Sequence, residues 1–388
     1  MIRGAYVMPG GVDAHVHLCQ DLKTGARGLG GECADNFETG SRSAAAGGTT
    51  TIITFATQTR DEEDRSLIKV VEAYNARAEA TGSYIDYGFH VIIVRNDPEI
   101  LEHELPVLVR DWGVTSCKLF MTYKSQRLTD TQLLDVMLAS QKNEITTVYD
   151  LQNRNEYGLT RHQMIHAENG DMIQWLTEKL EDKGMVAPYY HALSRPPIVE
   201  MEATNRAIAL AGLIENPILF VHIGSPLAAT NVRNAQTQGM PIYAETCPQY
   251  LNLTYDDLAC EGEALQNLVS RKPGSFRFIP NGIPGVETRM SLLYTGGLAT
   301  GRITPQKFVE LTSTNPSKLL TFKDTPYEGK EFVNWPRYTI LRGNVIWAEG
   351  ELKGKTYDGE YLKRGPSYFG AGPAGRRRDA KKIATWLK

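Results

Sequence analysis

The 388-residue chain has no apolar run of the roughly 18 residues that a membrane-spanning helix needs. It also lacks an apolar segment behind its start. Met1-Ile2-Arg3-Gly4-Ala5-Tyr6 leads into glycines and charged residues, so no secretory leader is expected. Cysteine is scarce: Cys19, Cys33, Cys117, Cys247 and Cys260 are odd in number and form no CxxC pair. That argues against a disulfide framework and against a cysteine-based zinc site. Excess charge of either sign is missing too, with a net charge of -3 and charged residues at 22%. This balance predicts neither nucleic acid nor a membrane as a partner. The basic run Gly375-Arg376-Arg377-Arg378-Asp379-Ala380-Lys381-Lys382 reads as a solvated tail. A soluble chain in a reducing, cytoplasmic setting is the expectation.

What is present is alternation. Short β-branched or apolar runs take turns with longer helical patterns, the mark of repeated βα units around a parallel sheet. Strands are predicted at Gly11 to Leu18, Thr50 to Ala56, Tyr87 to Val94, Ser116 to Tyr123, Ile218 to Ser225 and Pro241 to Tyr250. One more is split between Ile145 to Val148 and Met164 to Glu168. Helices are predicted at Asp64 to Ala80, Asp130 to Gln141, Asp171 to Lys183 and Glu200 to Ala211. The order suggests a TIM-type (β/α)8 barrel with its functional groups at the C-terminal ends of the strands. No credible strand follows between Leu251 and Phe278, so the barrel is expected to lack its eighth. Residues 1–325 are assigned to the barrel, and 326–388 to a small β-appendage and the basic tail.

His15 and His17 lie two apart at the end of the first predicted strand, where alternate residues share a face. Both imidazoles are expected to face the barrel mouth. Neutral imidazole suits zinc, and ligands of catalytic metal sites often come from separate strand ends, yet packing or a turn would account for such a pair as well. Lys118 sits within an apolar strand, Ser116-Cys117-Lys118-Leu119-Phe120-Met121-Thr122-Tyr123. A buried ammonium is costly, and two escapes exist: snorkelling to the rim, or reaction with carbon dioxide to a carbamate able to bridge metal ions. His166 and His222 occupy two further strand ends. One such histidine is ordinary core; four with a lysine point to a metal site. His90, His103, His162 and His191 fit no such position and receive no role.

The segment Gly10-Gly11-Val12-Asp13-Ala14-His15-Val16-His17, the Lys118 strand through Tyr123-Lys124, and His166-Ala167-Glu168-Asn169-Gly170-Asp171 resemble the dihydropyrimidinase and hydantoinase branch of the amidohydrolases. So do Tyr190 to Pro197, Glu245-Thr246-Cys247-Pro248-Gln249-Tyr250-Leu251, Ile279 to Glu287 and Tyr327-Glu328-Gly329. The resemblance implies two zinc ions, one on His15 and His17, one on His166 and His222, bridged by carboxylated Lys118. It gives Tyr123 a bond to the substrate carbonyl and the Asn281 backbone a hold on the ring amide. The implied reaction opens a cyclic amide, dihydrouracil, dihydrothymine or a hydantoin, to an N-carbamoyl amino acid. The implied assembly is a homotetramer. The competing readings are a non-catalytic dihydropyrimidinase-related scaffold, which loses these ligands, and an allantoinase or dihydroorotase, which the Tyr123-Lys124 and Asn281-Gly282 contexts suit less well.

Four features depart from the family pattern. A stretch before the first strand is missing, Val148 to Gln163 has no family counterpart, and a Gly-rich strand after Leu319-Leu320 is absent. Between about Leu258 and Gly274 the chain also lacks the Ser-Pro-Pro loop and the Ser-Asp-His strand, which would supply the closing strand, an aspartate ligand and a proton shuttle. The flanking motifs stay intact up to the edges, so the expected cause lies in gene structure: a retained in-frame intron at Val148 to Gln163, skipped coding segments and a late start. Weak or absent turnover is the expectation for the literal sequence.

Overall fold

The computed structural model describes residues 6–20, 33–142, 162–255, 275–279, 281–320 and 336–364. Strands and helices alternate as the pattern predicts. They are β1 Gly11–Val16, α1 Phe37–Ala46, β2 Thr49–Thr57, α2 Leu67–Thr81, β3 Asp86–Ile92, α3 Pro98–Trp112 and β4 Ser116–Phe120. Then come α4 Asp130–Lys142, β5 His162–His166, α5 Gly170–Glu181, α6 Tyr189–Leu193, α7 Pro197–Leu213, β6 Ile218–Phe220, α8 Pro226–Thr237 and β7 Ile242–Ala244. The seven strands form one parallel sheet in sequential order, β1 to β7. Among the described residues this is a (β/α)8 barrel without its closing strand. The split candidate resolves onto its second half, while Ile145 to Val148, most of Val148 to Gln163, the region from Leu258 to Gly274 and the basic tail lie outside the described residues.

Two apolar layers hold the sheet. Outward-facing Ile52, Val91, Leu119, Ile165 and Phe220 pack with helix residues such as Leu67, Leu108, Val136 and Ala207. Inside, Phe55, Ile92, Val94, Phe120, Met164, Leu219 and Val221 fill the upper barrel, and Val12, Ala14 and Ile53 lie in a smaller cluster against Leu362. β2, β3 and β4 are buried along almost their whole length, as strands covered on both faces must be.

The seam of the open barrel is partly dressed by side chains. On β1, Arg289 Nη2 donates to Val12 O at 2.9 Å, and Ser313 Oγ donates to Gly10 O. Backbone carbonyls at a sheet edge need partners. Here two side chains supply them. Below the barrel, Leu362 N–H donates to Tyr87 O at 2.8 Å and buried Arg364 Nη1 to Ser116 Oγ at 2.7 Å, which straps the C-terminal segment under β3 and β4. A separate antiparallel sheet of β8 Tyr338–Leu341, β9 Asn344–Ala348 and β10 Glu351–Leu352 is the predicted appendage. No helix among the described residues is long and apolar enough to cross a membrane.

Candidate metal centre

β1 reaches the site through a change of face. Val12 and Ala14 point inward, yet Val16 and Leu18 belong to the outer layer, and the β1–β2 register shifts between Asp13 and Val16. A shift of this kind re-aims the side chains beyond it. His15 and His17 therefore turn in together, their rings 5.3 Å apart and each against Phe55, at 5.0 and 4.7 Å. Opposite, β4 carries Lys118 inward on the same face as Phe120. The residue is 1% exposed, and its amine lies 4.9 Å from the Phe55 ring and 2.8 Å from His15 Nε2. The snorkelling alternative is excluded for this conformation.

His166 ends β5, level with Phe120 of β4. Asn169 then caps α5 by accepting from Asp171 N–H and Met172 N–H, which explains the Glu168-Asn169-Gly170-Asp171 sequence as a strand-to-helix turn. Gly170 packs closely there: a Cβ would lie 3.1 Å from Thr122 Cα, so a side chain would make the backbone beyond β4 give by a few tenths of an ångström. His222 lies two residues beyond β6, shorter than predicted, with φ of 43°. Tyr123, beyond β4, has φ of 63°. Left-handed backbone at two non-glycine residues is strain that packing must hold. For His222 part of that hold is visible: Glu200 accepts from Gly224 N–H at 2.9 Å and Ser225 N–H at 2.8 Å.

These elements gather all five predicted ligand side chains. The His166 and His222 rings are 4.3 Å apart, with His222 Nε2 3.0 Å from His166 Nδ1, and His222 and His15 rings are 5.4 Å apart. Tyr123 stands edge-on to His166 at 5.0 Å. Asn281 Nδ2 donates to the Tyr123 hydroxyl, and His191 Nε2 lies 2.8 Å from Asn281 Oδ1. The Asn281 side chain thus joins the site, and His191, given no role from sequence, holds it. His90 is core: it lies 2.5 Å from Ser116 Oγ and 2.9 Å from Ala14 O. His103 is on outer helix α3, and only the backbone of His162 is described. Two carboxylates went unassigned in the sequence. Glu245 Oε1 is 2.5 Å from His15 Nδ1, and Glu168 Oε2 is 2.6 Å from His166 Nε2.

Burial decides the protonation states. It drives His15 and His222 well below the ordinary histidine range, helped by Lys118 and neighbouring histidines. His166 is lowered for the same first reason, against a contrary pull from Glu168. Burial pushes the Lys118 amine down and the Glu245 carboxyl up, so that both approach about 7. The centre is accordingly a set of neutral nitrogen donors around an amine that gives up its proton readily. That donor chemistry fits a metal, since ligating imidazole must be neutral and carbamate formation needs the free amine. In their present rotamers these groups bond to one another, and no three His, Cys, Asp or Glu side chains among the described residues converge as ligands.

A pH dependence follows for the metal-free chain. His15, His90, His166 and His222 all have lowered values, so below their ordinary 6.5 the unfolded chain takes up protons that the folded chain refuses. Their contribution is complete above 6.5 and is lost as pH falls; His17, lowered to about 3, adds to it, while the raised carboxyls of Glu245, Asp13, Asp86 and Glu200 oppose it. Lys118 extends the rise from about 7 toward its ordinary 10.5. Each proton is worth about 1.4 kcal/mol per pH unit. Urea unfolding of metal-free protein is expected to give stability that increases from pH 5 to pH 9. In Lys118→Met the increase above pH 7 shrinks, and an unchanged alkaline limb would count against the buried-amine assignment.

The sequence profile of the Amidohydrolase family matches residues 6–225. The chain belongs to the amidohydrolase family. An amidohydrolase relative from Ralstonia pickettii, a D-hydantoinase, is 34% identical over 436 positions, covering 93% of this chain and 89% of the relative. Those 436 positions exceed the 388 residues of this amidohydrolase, so the relative carries residues with no counterpart here. Among solved structures, that of a D-hydantoinase superposes with a TM-score of 0.80 at 33% identity over 93% of this chain and 89% of the other. The dihydropyrimidinase from Brevibacillus agri gives a TM-score of 0.80 at 28% identity over 93% and 88%.

Proposed function

We propose that this amidohydrolase is a metal-dependent cyclic amidase that opens hydantoin or dihydropyrimidine rings. The observation that carries the reading is the convergence of His15, His17, Lys118, His166 and His222 from four strands or strand ends of one barrel, β1, β4, β5 and β6. The D-hydantoinase relative supports the substrate class. His15 and His17 would hold one ion, His166 and His222 another, with carboxylated Lys118 between; imidazole ligands favour zinc. Bound there, the metal pair supplies Lewis acidity at the carbonyl and a water of lowered pKa.

The chain's own residues do the rest. Water adds at the ring carbonyl carbon, the carbon–nitrogen bond breaks, and the departing nitrogen takes a proton. Tyr123 donates its hydroxyl proton toward the carbonyl oxygen as negative charge grows there, while its oxygen accepts from Asn281, a bond that strengthens it as a donor. The Asn281 backbone is assigned to the ring amide. Phe55 and Phe120 keep the surroundings of Lys118 apolar, which maintains its amine in the neutral form that reacts with carbon dioxide. The same resemblance carries a homotetramer in the cytoplasm, which light scattering after size exclusion tests for the purified chain.

Metal analysis together with ring opening of dihydrouracil and 5-substituted hydantoins tests the reading. Tightly held zinc with measurable turnover supports it; a purified chain that neither holds metal nor opens either ring overturns it. For Tyr123→Phe, kcat is expected to fall about 10²- to 10³-fold, the usual cost of losing one donor to a developing oxyanion. Its metal content should stay at the parent level. Turnover within a factor of two of the parent removes Tyr123 from the mechanism.

A further inference from the structure

The rings of His15 and His166 share a pattern. In His15, Nε2 faces Lys118 at 2.8 Å while Nδ1 faces Glu245 Oε1 at 2.5 Å. In His166, Nδ1 faces His222 at 3.0 Å while Nε2 faces Glu168 Oε2 at 2.6 Å. One nitrogen of each ring looks into the cluster and the other onto a carboxylate. His17 differs, for its Nδ1 lies 2.8 Å from the neutral amide oxygen of Gln20.

Both carboxylates are themselves held. The Glu245 backbone bonds twice to the β6 strand and the loop after it, N–H to Phe220 O at 2.9 Å and O from Ile223 N–H at 2.8 Å. Glu168 lies 3.5 Å from the Arg195 guanidinium and is largely buried. With the nitrogen that looks into the cluster left free to ligate, the nitrogen beside the carboxylate carries the hydrogen, which a carboxylate oxygen accepts. That arrangement orients a ligating imidazole and raises its basicity.

We propose that Glu245 and Glu168 are positioning residues of the metal centre, one for each ion: Glu245 fixes His15 to present Nε2, and Glu168 fixes His166 to present Nδ1. This rests on the metal-centre reading above. Each carboxylate meets the ring nitrogen opposite the one that faces the cluster, so each acts through the ring.

The test is metal retention. Zinc release to a chelator would be followed for the parent chain and for Glu245→Ala, Glu245→Gln, Glu168→Ala and Glu168→Gln, and the visible spectrum of cobalt-loaded protein would report the ligand field. Each alanine variant is expected to hold one of two ions about 10- to 100-fold more weakly, the usual cost of losing such a partner, and to alter the cobalt spectrum. Each glutamine variant should fall between parent and alanine, because its amide oxygen still accepts from the ring N–H without the charge. If an alanine variant does not fold, its glutamine counterpart against the parent carries the comparison, with weaker retention expected. Parent-like retention in either alanine variant, or a glutamine variant no better than alanine, overturns the assignment while leaving the metal reading intact. A parent chain that binds no metal overturns both.

Discussion

Lys118→Ala and Lys118→Met should leave the chain without its pair of metals and with turnover lowered by about 10³-fold or more. The argument starts from cost. The amine of a lysine that is 1% exposed, against Phe55 and Phe120 and with His15 Nε2 2.8 Å away, is a poor place for a cation. Burial pulls its pKa down to about 7, so at neutral pH a large share is free amine. Reaction with carbon dioxide, as proposed, would convert that amine into an anion among neutral histidines, so the metal charge would be balanced where it is bound. Removing the bridge forfeits several kcal/mol of charge stabilisation, and each 1.36 kcal/mol is about tenfold in rate. Methionine is the informative substitution. It fills the same apolar slot without an amine, so metal-free Lys118→Met should be at least as stable as the parent at neutral pH. Metal loading of the parent should also slow in buffer stripped of carbon dioxide. Two retained metals and parental turnover in Lys118→Met would mean that the lysine is core, and the bridging role would be abandoned.

The parts of this centre that were legible in the sequence are those set by period and position. Strand alternation placed His15 with His17 and set Lys118 inside an apolar strand, and the strand-end rule placed His166. What was illegible came from departures from that regularity. The change of face in β1 cannot be read from Val12-Asp13-Ala14-His15-Val16-His17, since unbroken alternation would set His15 opposite Val12 and Ala14, on the outer layer. β6 and β7 are three residues each because His222 and the Glu245-Thr246-Cys247 segment leave the strand path, His222 with a left-handed backbone that local propensity disfavours. Glu245 and Glu168 stood inside motifs quoted for family likeness, but a carboxylate behind a histidine is separated from it by 230 residues in one case and by two in the other. Spacing could have suggested only the second. The want of an eighth strand was legible, but the role of Arg289 and Ser313 at the β1 edge was not, because their partners Val12 and Gly10 lie 277 and 303 residues away.

That seam leads to the second large effect. Inserting the family's Ser-Pro-Pro and Ser-Asp-His segment after Leu258 should raise turnover by about 10²- to 10⁴-fold, the range that a positioned general acid provides. The sheet runs from β1 to β7 and its two ends pair with no further strand among the described residues. An added strand would lie between Ile242–Ala244 and Gly11–Val16, and it would take over Val12 O and Gly10 O from Arg289 and Ser313. Asp13, whose carboxyl burial raises, already faces Arg289 at 3.7 Å, so a new carboxylate would enter beside an existing guanidinium. Two contributions need separating: closure of the barrel, which stabilises, and the aspartate, which ligates metal and delivers the proton to the departing nitrogen. The same insertion with asparagine in place of its aspartate separates them. It should raise the melting temperature as much as the full insertion, because the strand ladder is restored, yet leave turnover near the parent level. Equal rate gains from both insertions would assign the benefit to closure alone, and the deficit of the parent chain would then be one of architecture and not of proton transfer.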